Sequence, residues 1–295
     1  MLVNNIKPKI KLIQNYQQNF YIYGMRNIWQ TNPDCVIYSE KNIYAPRNGE
    51  CSFNNIEFNT KISFDSFGRK SDHPKTSKKN SGIVILGDSH SMGHGINDNQ
   101  TYSYLLEKKL NKPVYNLAVS GYGTVRELNR FVDSNLSDLV DTVVIQYCFN
   151  DHGENLNYSS KSHQNSKEKY LLVTNDFQLS TWTKLRKYFR YSLKIPIETV
   201  LKKTHSLNFN DHKKLFVDTL NKYPVLKEKK IIVFYLNEYG VDFINFNNNG
   251  IKSELDLKFI DLNVHLNNDN FFPIDGHVNS LGHQYIAKKL SNIIN

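Results

Sequence analysis

The chain has 295 residues, enough to bury a sizeable core as one large domain with an appendage or as two domains. Its 39% hydrophobic and 22% charged content is ordinary for a globular protein and excludes a disordered one. The formal charge of +9 favours anionic surroundings such as acidic glycans, membrane surfaces or nucleic acid, without choosing among them.

The first twenty residues, MLVNNIKPKIKLIQNYQQNF, carry lysines but no apolar stretch long enough for a signal-peptide core or a membrane span. As written, the chain reads as cytoplasmic. It reads as periplasmic or extracellular if an export segment was removed. Residues 1–80 are expected to form a β-rich extension and linker. They are rich in Asn, Tyr and Phe, and 56–62 (IEFNTKI) alternates with the period of a strand. The polar stretch 70–81 reads as a linker or surface loop. Cys35 and Cys51 can bridge only in an oxidising compartment, and spacing alone leaves open whether they pair.

From residue 81 strands and helices alternate, which predicts an α/β domain over 81–295 with a parallel sheet covered on both faces. Strands are expected at 83–86, 114–117, 142–148 and 231–236, with a poorer candidate at 258–262. A helix is expected over 101–110, and Thr124-Val125-Arg126-Glu127 fits a capping box that opens another. Cys148 reads as a buried small hydrophobe. Residues 152–229 hold no convincing core strand and read as a helical insertion. Within it, Lys184, Arg186, Lys187, Arg190 and Lys194 interleave with Trp182, Leu185, Phe189 and Leu193. A solvated helix face is the preferred reading there, and contact with an anionic polymer is the alternative. At the C-terminus Leu281, Tyr285, Ile286, Leu290 and Ile293 fall on one helical face.

Four blocks sit at predicted strand ends or before the last helix: GDSHS at 87–91, NLAVSGYGT at 116–124, QYCFND at 146–151 and IDGHVNSLGH at 274–283. In an open α/β sheet the loops at the carboxyl ends of the strands converge on one crevice, so residues there can meet. A serine needs a base and oxyanion donors before it can attack a carbonyl. Asp275 and His277, two apart in an extended turn, can face the same side, with the carboxylate setting the imidazole tautomer. Each residue also has a plainer reading. Ser89 can cap a helix, Gly121 can serve a turn, and Asn150 with Asp151 can cap a loop.

The four ordered blocks, with SFDSFGRKS at 63–71 ahead of them, resemble the SGNH or GDSL-type hydrolase and acyltransferase superfamily. The resemblance implies a three-layer α/β sandwich with a flavodoxin-like parallel sheet. It makes Ser89 the nucleophile, His277 the base and Asp275 its orienting partner. The amides of Ser89 and Gly121 and the Asn150 side chain become the oxyanion donors. The D-x-H spacing resembles the subset acting on acyl groups of cell-envelope polysaccharide, and Phe149 stands where a glycine is common. The expected activity is serine-dependent O-acyl ester hydrolysis, with O-acetylated carbohydrate as the substrate. The alternatives are an O-acetyltransferase and a catalytically silent module that binds anionic glycan. His283 is expected to be structural. His90 and His94 flank the serine and can line the pocket, with a helix-surface position the preferred reading for His94. Arg69 is expected either to pair with an acid or to contact substrate. Cys-x-x-Cys, dinucleotide-binding, Walker and HExxH patterns do not occur, so no cofactor, metal or nucleic-acid partner is expected.

Overall fold

A computed structural model of the chain describes residues 21–22, 25–73, 81–148, 150–160, 166–175, 186, 209–236, 253–262 and 268–294. The N-terminal part opens with an antiparallel hairpin, β1 (Val36–Ser39) and β2 (Ile43–Pro46). A second, longer hairpin follows, β3 (Gly49–Asn55) and β4 (Phe58–Asp65). Asn55 pairs with Phe58, so Ile56 and Glu57 form the reversal, and the strand read from the sequence over 56–62 starts instead at Phe58. A disulfide joins Cys35 to Cys51, tying the approach to β1 onto β3.

The extension continues the central sheet. β5 (Gly68–Arg69) pairs with β4 and makes a single bridge from Arg69 to Asn116 in β7 (Val114–Asn116). A side chain at Gly68 would lie 2.2 Å from the Asn116 carbonyl, so only glycine permits this splice. The remaining strands are β6 (Gly82–Leu86), β8 (Val140–Tyr147), β9 (Lys230–Tyr235) and β10 (Asp256–Ile260). The sheet runs β3-β4-β5-β7-β6-β8-β9-β10, and its five C-terminal-side strands are all parallel. Counted within that parallel part, the order is 2-1-3-4-5, the flavodoxin order.

Among the described residues the α-helices in chain order are α1 (Ser89–Met92), α2 (Tyr102–Leu110), α3 (Thr124–Asp133), α4 (Asn150–Ser160), α5 (Ser166–Asn175), α6 (Phe209–Leu220) and α7 (Ser280–Ile294). Alternation along β6 splits the core. Val84 and Leu86 pack with Leu128 and Phe131 of α3 and Phe216 and Leu220 of α6. Ile83 and Ile85 pack with Leu106 of α2 and Ile286 and Leu290 of α7. Strands buried on both faces need no polar alternation, which is why they read as continuous apolar runs. The described parts of 152–220 are helical, and 221–229 lead into β9 through turns around a short 3-10 helix at Pro224–Leu226. Lys184, Lys187 and Arg190 lie outside the described residues, whereas Arg186 is described and exposed. Among the described residues no helix is long and apolar enough to cross a membrane.

The expected capping box is not formed. Gly123, not Thr124, is the N-cap of α3, and the Thr124 hydroxyl donates to Asp151 instead. Glu127 is buried, and its carboxyl is pushed well above the usual carboxylate range by burial and then by Asp151. Glu154 of α4 takes over its task, accepting from the Gly123 amide at 2.9 Å and pairing with Arg126. His283 is structural, as expected. Its ring is fully buried, and Nδ1 accepts from the Tyr102 amide at 2.9 Å, locking α7 to the start of α2. Burial first, then the Arg69 charge and nearby His90, push its pKa down to about 3.

A neutral buried histidine stabilises the fold fully above its unfolded pKa of about 6.5, and that stability is lost as pH falls toward 3, because the unfolded chain takes up the proton first. Urea titrations between pH 4 and 6 are therefore expected to show a His283→Gln variant with a shallower pH slope than the parent, by about 1.4 kcal/mol per pH unit. Parallel slopes would contradict this.

Candidate active site

The turn after β6 is built to present Ser89. Gly87 has φ +154°, and a side chain there would sit 2.8 Å from both Gln146 Oε1 and Ser91 Oγ, so the chain passes too close for any other residue. The Asp88 amide donates to Gln146 Oε1 at 3.2 Å, and the Asp88 carboxylate accepts from the His90 amide at 2.9 Å. Asp88 is thereby the N-cap of α1, and Ser89 is the first helical residue. After one turn α1 stops at Gly93, which takes the left-handed conformation at φ +85°.

Arg69 settles between its two readings. It is buried, its Nε donates to Asp98 at 2.6 Å, and its Nη1 donates to the carbonyls of Met92 and Gly93 at 2.7 and 3.1 Å. A further bond goes to the Ile96 carbonyl. It pins the exit of α1 rather than facing substrate.

The last block arrives from the other end of the chain. Phe271 bridges Val278, the Phe272 amide donates to the His277 carbonyl at 2.8 Å, and the Gly276 amide donates to the Phe272 carbonyl at 2.9 Å. Asn279 then caps α7 by accepting from the amides of Leu281 and Gly282. This closed loop places His277 Nε2 2.8 Å from Ser89 Oγ. His277 Nδ1 donates to Asp275 Oδ1, and all three residues are buried, at 7% exposure or less. Burial opposes the charge on Asp275. The His277 ring and its hydrogen bond, with His94 nearby, outweigh burial and hold the carboxyl well below the usual range. A hydroxyl so placed can pass its proton to an imidazole whose far nitrogen is fixed by a carboxylate.

Gly121 sits in a turn closed by the Tyr122 amide on the Val119 carbonyl at 3.0 Å, with φ +76° at Gly121. The Val119 amide donates to the Gly87 carbonyl at 3.0 Å, which brings this turn to the end of β6. The Gly121 carbonyl is held by Arg126. Neither the Ser89 amide nor the Gly121 amide has an acceptor among the described residues. Asn150 opens α4, but its side chain and all of Phe149 lie outside the described residues. Asp151 ties the block together, accepting from the Cys148 amide at 2.6 Å.

His94 is not on a helix surface. Because α1 ends at Gly93, the chain turns and lays the His94 ring on His277, with centroids 3.8 Å apart and planes 16° apart. Its Nε2 lies 3.5 Å from Asp275 Oδ1. Burial first, then His277, push the His94 pKa down to about 3, which favours the neutral ring against His277. His90 Nδ1 accepts from the Val278 amide at 3.4 Å and so braces the loop from the α1 side. Donor atoms of His94, Asp275 and His277 lie within 4.8 Å of one another. Stacked rings, however, aim their in-plane lone pairs side by side rather than at one point, which suits a metal ion poorly.

Sequence reasoning missed Glu57. Its carboxylate accepts from the amides of Ile274 at 3.1 Å and Asp275 at 2.6 Å. A charged residue at a hairpin tip carries no signal that separates it from a solvated one.

No curated protein matches the chain. Among solved structures, a family 3 carbohydrate esterase of Clostridium thermocellum is 13% identical, with 73% of this chain and 98% of that chain covered and a TM-score of 0.42. A carbohydrate esterase family 2 enzyme with a carbohydrate binding domain from Corynascus (Myceliophthora fergusii) is 13% identical over 77% of this chain and 68% of that one, with a TM-score of 0.41. The psychrotrophic esterase EstA from Pseudoalteromonas sp. is 13% identical over 72% and 96%, with a TM-score of 0.37. The profile of the GDSL-like lipase/acylhydrolase family matches residues 83–290, which takes in all four blocks and most of the chain, and the protein belongs to that family of ester hydrolases.

Proposed function

We propose that the protein is a serine-dependent O-acyl ester hydrolase working through an acyl-enzyme on Ser89. The observation that carries this reading is the continuous hydrogen-bond chain from Ser89 Oγ to His277 Nε2 and from His277 Nδ1 to Asp275. Ser89 Oγ attacks the acyl carbonyl while its proton passes to His277 Nε2. The carbonyl oxygen takes the negative charge and is met by the amides of Ser89 and Gly121 and by the Asn150 side chain. Each such donor is worth about 3–4 kcal/mol of barrier. The tetrahedral intermediate collapses, the ester C–O bond breaks, and the alcohol leaves with the proton from His277. Water then repeats the sequence and releases the acid and free Ser89.

The D-x-H spacing of Asp275 and His277 supports an O-acetylated carbohydrate of the cell envelope as the alcohol portion of the substrate. The Cys35–Cys51 bridge supports an oxidising site of action.

Ser89→Ala is expected to lower p-nitrophenyl acetate turnover at least a thousandfold with an unchanged melting temperature, and retained turnover would refute the reading. Asp275→Asn is expected to lower kcat by roughly 10³–10⁴, because the amide favours the wrong His277 tautomer; a loss below tenfold would remove Asp275 from the mechanism. Mass measurement of an O-acetylated glycan incubated with the protein should show loss of acetyl groups. A gain of acetyl groups from an added donor would make it a transferase instead.

A further inference from the structure

We infer, resting on the function proposed above, that the β3–β4 hairpin is part of the enzyme's working site and that Glu57 at its tip is a positioning residue for Asp275 and His277. The 271–278 loop closes its own base but leaves the amides of Ile274 and Asp275 unused by its internal bonds. Glu57 takes both. Ile274 N lies 3.1 Å from each carboxylate oxygen, and Asp275 N lies 2.6 Å from Oε2. Bonds from amides to a carboxylate are roughly twice as strong as neutral ones, and these two fix the backbone on which the Asp275 side chain stands.

The same hairpin holds the other side of the His277 ring. Phe53 and Phe58 meet the His94 ring edge-on, at 4.7 and 5.4 Å between centroids, and His94 stacks on His277. Phe58 also packs on Phe272 in the loop, at 5.2 Å. A side chain at Gly95 would lie 2.6 Å from the Phe58 ring, so the hairpin approaches the turn after α1 as closely as backbone allows. The hairpin is itself fixed by its place in the central sheet and by the Cys35–Cys51 bridge. It lies wholly before residue 83, where the match to the family begins. The contacts to the acid–base loop therefore come from a segment ahead of the stretch that matches the family.

The test uses the full chain with Glu57→Ala, Glu57→Asp and Glu57→Gln. One readout is kcat and KM for p-nitrophenyl acetate. The other is the low-field proton resonance of His277 Nδ1, identified by its loss in His277→Asn. Glu57→Ala is expected to lower kcat at least tenfold with KM within threefold, and to shift or broaden the resonance. Glu57→Gln, whose single carbonyl oxygen can accept from both amides, should stay within threefold of the parent. Glu57→Asp, too short to reach both, should behave like the alanine variant and carries the comparison if Glu57→Ala does not fold. An unchanged resonance and a kcat within twofold for Glu57→Ala or Glu57→Asp would overturn the inference and leave the esterase reading intact. A resonance lost on Glu57→Ala in a protein that hydrolyses no ester would uphold the positioning role and refute the esterase reading.

Discussion

The hydrogen bond between Ser89 and His277 joins residues 188 positions apart, and the proposed chemistry depends on that closure. A single such bond contributes about 1 kcal/mol net, so it cannot hold the two ends of the chain together. Packing does. Burying Ile286, Ala287 and Leu290 of α7 against β6, β8 and β9 is worth ~1.5–3 kcal/mol for each large side chain, and His283 adds a directed tie to α2. With α7 fixed on the sheet, the loop just ahead of it emerges beside the carboxyl end of β6, where Gly87 and Asp88 turn Ser89 outward. The fold holds the bond, and the bond costs little to make.

The electrostatic design follows from burial. Asp275 is a buried anion, which is costly unless it is paired. Its partners are the His277 ring, bonded to Oδ1, and the His94 ring, whose Nε2 lies 3.5 Å from the same oxygen. Keeping His94 uncharged matters for the proposed reaction, because a positive ring stacked 3.8 Å from His277 would oppose the imidazolium that proton transfer from Ser89 would create. The deep burial of His94 among Phe53, Phe58 and His277, with the His277 ring beside it, outweighs the pull of the nearby Asp275 carboxylate and favours the neutral ring.

Much of this was legible in the sequence. Uninterrupted apolar runs marked β6, β8 and β9, and the spacing of Ile286 and Leu290 marked α7, because a strand covered on both faces and a helix covered on one leave unmistakable patterns. Ser89, Asp275 and His277 were legible because their blocks fall at strand ends, where topology forces convergence. What escaped depended on exact chain reversals. β5 is two residues long and joins the parallel sheet through one bridge, so no periodicity announces that the N-terminal strands belong to the central sheet. His94 moved from a supposed helix surface to the site because Gly93 ends α1 after a single turn. The Thr124-Val125-Arg126-Glu127 box failed because tertiary packing buried Glu127 and supplied Glu154 from another helix. Local pattern could not see a partner 31 residues away.

Covalent capture tests the central claim most directly. A fluorophosphonate reacts only with a serine whose proton is drawn off by a neighbouring base, and peptide mapping locates the adduct. The account predicts one phosphonyl group, carried by the peptide containing Ser89 and absent from the His277→Ala protein. Capture at a different serine, or labelling of Ser89 that is indifferent to His277, would contradict it.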